Sequence, residues 1–233
     1  MTPEAQSMHI IARVRNDFPT KFGIPRQPGL VPQMISKIVF EPEYRVAESL
    51  RGLEDFSHIW LIWEFHQARR EKWSPTVRPP RLGGNTRMGV FATRSPFRPN
   101  SIGLSVVKLE GIVNDGPNGT VLLVSGADMM DGTPVFDVKP YIPYADCLPE
   151  ATGGFTQRTE KRQVAVEIPE NLLALIPEEK REALRGILAQ DPRPAYQDDP
   201  ERIYGFGYAD LEILFRVQTG VLTVIDVTKE GKS

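Results

Sequence analysis

The chain has 233 residues and a mass of 26.2 kDa, enough for one large domain or for a domain of about 150 residues with a smaller second unit. Apolar residues make up 40% and charged residues 25%, a balance that excludes a disordered chain, and the net charge of −2 excludes a globally basic one. The single cysteine, Cys147, excludes an internal disulfide and a multi-cysteine metal site, and we expect it to be a small, partly buried side chain beside Tyr144 and Leu148.

Short apolar segments, each bounded by Gly, Pro, Asn or Asp, follow one another through the first 140 residues, as strands do. The predicted strands cover residues 9–14, 35–40, 58–65, 88–93, 102–113, 120–124 and 133–138. Between the second and the third, residues 43–53 have apolar side chains at helical spacing, which predicts a helix. This order predicts a mainly β fold in which an antiparallel sheet closes on itself as a small β-barrel, and it argues against a doubly wound parallel sheet.

A Gly- and Thr-rich stretch within residues 151–162 predicts a linker between a first domain, residues 1–150, and a C-terminal unit, residues 163–233. In that unit we predict an α+β domain with a strand at 163–168, helices at 169–176 and 177–190, and a hairpin of strands at 211–217 and 221–227. From residue 186 onward it has eight acidic against five basic side chains, which argues against a principal RNA-binding surface. Arg193 and Tyr196 lie on a loop, where they either contact RNA or brace the barrel, and bracing is the favoured interpretation.

The near-neutral total hides a basic stretch, because residues 69–98 contain eight cationic side chains and a single acid, Glu71. Seven of the eight are arginines, whose planar guanidinium group suits phosphates and stacks on bases. Interleaved prolines and glycines place most of them on loops, where a ligand can reach them. A polyanion-binding surface and ion pairing with acids elsewhere in the chain both explain this bias. Trp73, Phe91 and Phe97 are candidate stacking side chains, although for Phe91 we expect core packing.

Several familiar site patterns are absent from the sequence. It contains no strand–GxGxxG–helix unit, no GxxxxGK[ST] loop, no HExxH pair of histidines and no GxSxG turn. A Rossmann enzyme, a P-loop nucleotidase, a zinc hydrolase and a serine hydrolase are therefore not predicted. The longest apolar run, residues 59–63, is far shorter than the roughly 18 residues of a membrane-spanning helix, and residues 1–18 lack the apolar core of a signal peptide. We therefore expect a cytoplasmic protein without a membrane or metal partner.

Four unusual strings remain, and their order is more informative than any one of them. They are GIPRQPG at residues 23–29, FHQ at 65–67, VRPPRLGGNTRMGVFATRSPFRPNSIGL at 77–104 and DGTP at 131–134. Together they closely resemble the TrmO/TsaA family of tRNA methyltransferases. LAQDPRPAY at 188–196 resembles the bacterial branch with an added C-terminal domain, so the resemblance covers nearly the whole chain. One departure is Ser101, where the family commonly has proline after FRPN.

The resemblance implies an S-adenosylmethionine-dependent enzyme built on a small closed β-barrel, without a Rossmann domain, that acts as a homodimer. It implies methylation of N6 of threonylcarbamoyladenosine at position 37, in the anticodon loop of a threonine tRNA. By the family's cofactor-binding pattern, the matching positions are Pro25, Arg26, Gln27, His66, Gln67, Arg94, Leu104, Asp131, Gly132, Thr133 and Pro134.

The chemistry of methyl transfer agrees with these residue types. The methyl donor is already activated, so in-line placement supplies much of the rate, and Arg94 suits its carboxylate. The acceptor nitrogen must lose a proton, for which His66 and Asp131 are weak candidates and water is an equal alternative. The tRNA-binding candidates are Arg78, Arg81, Arg87 and Arg98. Two other functions fit the same residues: a non-catalytic barrel that binds S-adenosylmethionine or RNA, and methyl transfer to an acceptor other than tRNA.

Overall fold

The computed structural model describes residues 6–69, 72–158, 163–193 and 199–229. The strands of the first 140 residues are β1 (Ala12–Arg15), β2 (Ile35–Phe40), β3 (His58–Glu64), β4 (Thr76–Val77), β5 (Met88–Gly89), β6 (Ile102–Asn114), β7 (Thr120–Ser125) and β8 (Pro134–Pro140). Six of them close into a barrel in the order β1-β2-β7-β6-β3-β8, while β4 and β5 form a separate two-stranded ribbon. The mainly β fold with a closed barrel, predicted from the sequence, is confirmed.

Alternation along β3 shows why these sequences close into a barrel. Ile59, Leu61 and Trp63 are at most 4% exposed and belong to one apolar core, whereas the residues between them are more accessible. Val107 of β6 and Val135 of β8, on the two strands that flank β3, are buried in the same core. Full burial of one such side chain stabilises the fold by about 1.5–3 kcal/mol, so the alternating pattern is enough to fix which face of each strand turns inward.

The strand pairing places three long connectors at one end of the barrel. Every neighbouring pair of barrel strands is antiparallel. The C-terminal ends of β1, β3 and β7 therefore lie at the same end as the N-terminal ends of β2, β6 and β8. We call this end the upper rim. The connectors that meet there are residues 16–34 between β1 and β2, residues 65–101 between β3 and β6, and residues 126–133 between β7 and β8.

The C-terminal part of the chain is an α+β unit with its own sheet. Its elements are β9 (Ala165–Glu167), α2 (Glu170–Leu173), α3 (Glu178–Ala189), β10 (Tyr204–Tyr208), β11 (Leu211–Gln218) and β12 (Val221–Lys229). The short helix α1 (Pro143–Asp146) precedes them and belongs with the barrel, since its Asp146 accepts from the indole nitrogen of Trp60 on β3. The sheet has the order β10-β11-β12-β9, with β9 parallel to β12 and the other pairs antiparallel. The buried face of α3 belongs to the same core as the inner face of this sheet, which covers the apolar side of the helix.

The β1–β2 connector is packed into this second core. Phe18, Val31 and Met34 are buried in it, and the ring of Phe18 lies 5.3 Å from that of Tyr208. Gly23 lies so close to the C-terminal sheet that a Cβ atom there would fall 2.5 Å from a ring carbon of Phe206. The connector is therefore held between the barrel and the C-terminal sheet. The predicted division at residues 150 and 163 stays a prediction.

Polar contacts reinforce this attachment. The ammonium group of Lys180 on α3 forms an ion pair with Asp17, and the amide of Ala209 donates to the Asp17 carbonyl at 3.1 Å. Arg26 donates to the carbonyl oxygen of Arg193 at 2.7 Å, so the loop after α3 does brace the β1–β2 connector. Tyr196 lies outside the described residues.

Two predicted elements of the first domain are wrong. Residues 43–53 form no α-helix but a succession of short 3-10 turns, Pro42–Tyr44, Ala47–Leu50 and Leu53–Asp55, because Val46 and Arg51 have extended backbone angles that interrupt the helix. The strand predicted at 88–93 is reduced to Met88–Gly89, after which Val90–Ala92 turns as a 3-10 helix with only Val90 buried.

Smaller differences concern the ends of elements and one side chain. The first strand begins at Ala12, the helix predicted at 169–176 is a single turn, and β10 was not predicted because its two glycines weaken the strand pattern. Cys147 is exposed, so the expectation of a partly buried filler is wrong. Within the described residues, no helix is long and apolar enough to cross a membrane, and no cluster of three or more His, Cys, Asp or Glu side chains is placed to hold a metal ion.

Candidate functional site

The sequence strings singled out above all reach the upper rim. Pro25, Arg26 and Gln27 lie in the β1–β2 connector, His66, Gln67 and Arg94 lie in the β3–β6 connector, and Asp131, Gly132 and Thr133 lie in the β7–β8 connector, with Pro134 opening β8. Leu104 is the third residue of β6 and therefore lies next to the same rim. Barrel closure thus brings together segments that are up to about a hundred residues apart in the chain.

A direct side-chain contact joins the first two connectors. Arg94 donates through Nη1 to Oε1 of Gln27 at 2.8 Å, and the Gln27 amide nitrogen donates to the carbonyl oxygen of Arg26 at 2.6 Å. The Gln27 side chain is therefore oriented from both ends. Arg94 is exposed and makes no other hydrogen bond with the described part of the chain, so its remaining guanidinium donors are available to a ligand. Such a fork is suited to a carboxylate or a phosphate.

A backbone contact joins the first and third connectors. The amide of Gly29 donates to the carbonyl oxygen of Gly126 at 2.8 Å. Gly126 has a positive φ of 74°, and a Cβ atom there would lie 3.0 Å from the Cα of Gly29. Glycine is required at this position both for the left-handed backbone and for the close approach of the two chains.

The DGTP segment is tied to β1 by its own polar groups. Asp131 accepts from the backbone amide of Asn16 at 3.1 Å and forms an ion pair with Arg15 at 3.2 Å. Gly132 accepts from Arg13, and the buried hydroxyl of Thr133 donates to the carbonyl oxygen of Met130 at 2.8 Å. Both carboxylate oxygens of Asp131 are therefore engaged, one by Asn16 and one by Arg15.

His66 and Gln67 lie in the turn that follows β3. The amide of His66 donates to the carbonyl oxygen of Glu64, and the amide of Phe65 donates to Ser101, which holds this turn against the start of β6. The His66 ring is half-buried and the Gln67 side chain is exposed, and neither side chain makes a hydrogen bond with another described residue. They share the upper rim with the Gln27–Arg94 pair but do not contact it. Leu104 is 53% exposed on the outer face of β6.

The sequence analysis missed Asp128, a carboxyl group of the β7–β8 connector. Its Oδ1 accepts from the Ser105 hydroxyl at 2.6 Å, and Ser105 in turn accepts from the indole nitrogen of Trp63 at 3.0 Å. Burial raises the pKa of Asp128 to about 6, against the opposing effects of the Ser105 hydrogen bond and of the positive charge of Arg94. No motif includes Asp128, but Ser105 is a polar residue at an inward position of β6, and this was a signal that a buried polar partner exists.

Arg26 faces the C-terminal unit instead of the rim. Burial lowers the pKa of its guanidinium group, an effect that the Asp191 carboxylate opposes and that Arg81 adds to. Its hydrogen bond to the carbonyl oxygen of Arg193 also places the Arg26 side chain against the C-terminal unit. Of the matching positions in the PRQ string, Gln27 is the one whose side chain reaches the second connector.

Most cations of the basic stretch have no ion-pair partner among the described residues. From residue 72 to residue 98 no acidic residue occurs, and none of the cationic side chains there forms an ion pair with an acid of the described residues. Arg78 and Arg87 are exposed and Arg81 is half-buried, whereas Arg98 donates to the carbonyl oxygens of Val90 and Thr93. These cations are Lys72, Arg78, Arg81, Arg87, Arg94 and Arg98. Arg69, the first cation of the basic stretch, pairs with Glu64, so within the described residues the structure supports the ion-pairing alternative for Arg69 alone.

Fold and site together define the class of protein: a small closed-barrel protein with an added α+β unit, whose candidate ligand site is built by connectors at one rim beside unpaired arginines. Two family models match the chain, the tRNA-methyltransferase O N-terminal domain over residues 13–147 and the TrmO C-terminal domain over residues 161–230. The chain therefore belongs to the TrmO family, as its motifs indicated.

Individual relatives agree with this membership. The chain is 44% identical over 218 residues to the tRNA (adenine(37)-N6)-methyltransferase of Escherichia coli K12, covering 89% of this chain and 91% of that protein. It is 43% identical over 230 residues to a putative S-adenosylmethionine-dependent methyltransferase of Pseudomonas aeruginosa, covering 95% and 97%. A crystal structure of TrmO from Pseudomonas aeruginosa matches with a TM-score of 0.79 and 37% identity, over 97% of this chain and 98% of that one. These matches also agree with the barrel fold described above.

Proposed function

We propose that this protein transfers a methyl group from S-adenosylmethionine to N6 of threonylcarbamoyladenosine at position 37 of a threonine tRNA. Membership in the TrmO family supports the reaction class, and the motif resemblance supports the modified nucleoside as acceptor. The observation that carries the proposal is the hydrogen bond between Gln27 and Arg94, because it unites two sequence motifs at the upper rim, next to a basic connector.

The residues of the upper rim fit the chemical groups of S-adenosylmethionine. Arg94 has unoccupied donors for the carboxylate of the amino-acid end. The stiff backbone around Pro25 offers amides and carbonyls to an adenine edge, and the side chains of His66 and Gln67 have no hydrogen-bond partner among the described residues, so they are available to polar groups of the cofactor. When bound, the cofactor supplies an activated methyl group. The chain's own contribution is to hold and align the two reactants.

The proton on the acceptor nitrogen needs a destination near the moment of attack. Asp131 is already bound by the side chain of Arg15 and by the backbone amide of Asn16. His66 is half-buried at the rim and has no described partner on its ring. Of the two candidates from the sequence, His66 is therefore the better placed, and transfer to water after correct alignment remains the alternative to either.

The β3–β6 connector is the proposed contact surface for the tRNA anticodon loop. Arg78, Arg81 and Arg87 have no acidic partner among the described residues, so their charge is available to phosphates. Arg98 also belongs to this surface but is bound to backbone carbonyls. Because phosphate contacts release counterions, the affinity for tRNA should fall steeply with salt concentration.

We also propose that the protein assembles as a homodimer in the cytoplasm. Large apolar side chains stay exposed on the outer face of the barrel near the upper rim, with Ile35 at 48%, Ile102 at 39% and Leu104 at 53% exposure. These residues start β2 and β6, the two neighbours of β7 in the barrel. A second copy that covers this apolar surface would also approach the predicted cofactor position Leu104.

The test is methyl transfer to purified tRNA from isotopically labelled S-adenosylmethionine, followed by nucleoside analysis. One reaction contains threonine tRNA with the threonylcarbamoyl group, and a matched one contains the same tRNA without it. We expect label only in the modified nucleoside of the first. Label in the tRNA of both reactions would refute threonylcarbamoyladenosine as the acceptor, but it would not refute methyl transfer to tRNA. Cofactor binding without any transfer would support the non-catalytic barrel, and transfer only to small molecules would support a non-tRNA acceptor.

A further inference from the structure

Two aromatic side chains of the β3–β6 connector stack on each other in solvent. Trp73 is 50% exposed and Phe91 is 71% exposed, their ring centroids are 6.1 Å apart and their planes differ by 29°. The expectation that Phe91 packs in the core is therefore wrong. Neither residue belongs to either of the two apolar cores. A large exposed aromatic pair gains little from burial, so folding alone does not account for it.

The pair is held in place by the backbone around it. The β4–β5 ribbon pairs Thr76 with Gly89 and Val77 with Met88, which brings the two halves of the connector side by side. The amide of Val90 donates to the carbonyl oxygen of Pro75 at 2.9 Å, and the Val90 side chain is 1% exposed. The residues next to Trp73 and Phe91 are thus anchored, while the two rings themselves project outward.

Arg98 supports the turn that carries Phe91. Its Nη1 donates to the carbonyl oxygens of Val90 at 3.2 Å and of Thr93 at 2.7 Å, which holds the 3-10 turn that carries Phe91. Its guanidinium carbon lies 5.7 Å from the centre of the Phe91 ring, within the range of a cation–π contact. The pair is therefore supported by a cation and by the turn, and its exposed surface is available to a ligand.

The electrostatic surroundings favour an anionic partner. The connector has six cationic and no acidic side chains from residue 72 to residue 98, and none of these cations is ion-paired within the described residues. Two copies of the same surface would repel each other in a symmetric contact. Single-stranded nucleic acid combines flat bases with a phosphate backbone, and proteins bind it with exposed aromatics set among basic side chains.

We propose that Trp73 and Phe91 form a stacking platform for an unpaired base of the tRNA anticodon loop. This inference rests on the proposed function, since it names how the same substrate is held. The platform orients the loop through a base next to the target, and it takes no part in the transfer itself. The cations around it bind the phosphates, and the rings bind a base face of any sequence.

The experiment compares tRNA binding and cofactor binding in the full chain. Trp73→Ala, Phe91→Ala and the double variant are measured for affinity to modified threonine tRNA, for affinity to S-adenosylmethionine, and for kcat and KM of methylation. Stacking contributes about 1–3 kcal/mol per base, so we expect each single variant to bind tRNA about 5- to 150-fold more weakly, with unchanged affinity for S-adenosylmethionine. Because both rings are exposed, the variants should fold, which circular dichroism and melting temperature will verify.

Two conservative variants separate stacking from simple apolar contact. Phe91→Tyr keeps the aromatic face and should keep the affinity for tRNA, whereas Phe91→Leu keeps apolar bulk and should lose it. If the native protein methylates tRNA and the double variant binds tRNA with unchanged affinity, the stacking platform is refuted and the proposed function is not. A loss of affinity that follows the dissociation of a dimer in sedimentation would overturn the platform too, and would assign the pair to a contact with a second copy. A native protein that neither binds nor methylates tRNA would overturn both.

Discussion

The buried carboxyl group of Asp128 makes the stability of the barrel depend on pH. The unfolded chain releases this proton near pH 3.8, while the folded chain releases it near pH 6 because burial disfavours the charged form. Between these values the folded state binds more protons than the unfolded state, so this group's contribution to the free energy of unfolding falls as the pH rises. The difference between the two pKa values corresponds to about 3 kcal/mol.

Asp128→Asn is the perturbation that isolates this contribution. Asparagine keeps an oxygen that accepts from Ser105 but never ionises. The difference in the free energy of unfolding, variant minus native, should therefore rise by up to about 3 kcal/mol from pH 4 to pH 7.5, in favour of the variant. All other titrating groups are common to both proteins and cancel in this difference.

The assay is urea unfolding at a series of pH values, followed by tryptophan fluorescence, to which Trp60 and Trp63 of β3 contribute from the barrel. Ser105→Ala is a useful second variant, because it removes the hydroxyl donor to Asp128 and should steepen the fall of stability with pH in the otherwise native protein. A variant-minus-native difference that does not change with pH, or that changes in the opposite direction, would refute the reasoning.

Three further predictions concern the rim and its supports. Arg94→Lys keeps the positive charge but loses the paired guanidinium donors, so calorimetry should show at least about tenfold weaker binding of S-adenosylmethionine. Equal binding by the variant would show that Arg94 does not belong to the cofactor site. Arg78→Gln together with Arg87→Gln should lower the slope of log affinity for tRNA against log salt by about 2, whereas Lys139→Gln on β8, already ion-paired with Asp137, should not change it. Gly23→Ala places a methyl group 2.5 Å from Phe206 at a positive φ and should destabilise the chain by about 1–3 kcal/mol in thermal unfolding; an unchanged melting temperature would contradict the packing.

Much of the barrel could be predicted because apolar and more polar side chains alternate along its strands. β3 is the clearest case, since Ile59, Leu61 and Trp63 face the core while their neighbours do not. The same reasoning failed at residues 43–53, where helical spacing of apolar residues reflects a series of turns that cover the barrel end. Local spacing does not reveal such interruptions, because they are set by the surface on which the segment packs.

The sequence was enough to predict which residues belong to the candidate site, but not which of them contact each other. The resemblance named Gln27 and Arg94 together, yet only barrel closure shows that they touch. Phe91 was misassigned because the apolar run at 88–93 was predicted to be one strand, whereas β5 ends at Gly89 and the 3-10 turn that follows leaves the Phe91 ring exposed. Asp128 was missed because it lies in a connector 23 residues from its partner Ser105; the inward position of Ser105 on β6 indicates a buried polar partner but not which residue supplies it.

The burial of Phe18, Val31 and Met34 against the C-terminal sheet has a consequence for biosynthesis. All six barrel strands end by Pro140, so the barrel can close while the ribosome is still adding the rest of the chain. The connector that carries Gln27 completes its packing only once Tyr208 has emerged, since the Tyr208 ring packs against Phe18 in a tilted contact. If the upper rim holds the ligand as proposed, the site is therefore completed late in synthesis, after the barrel strands and only when the last strands have emerged.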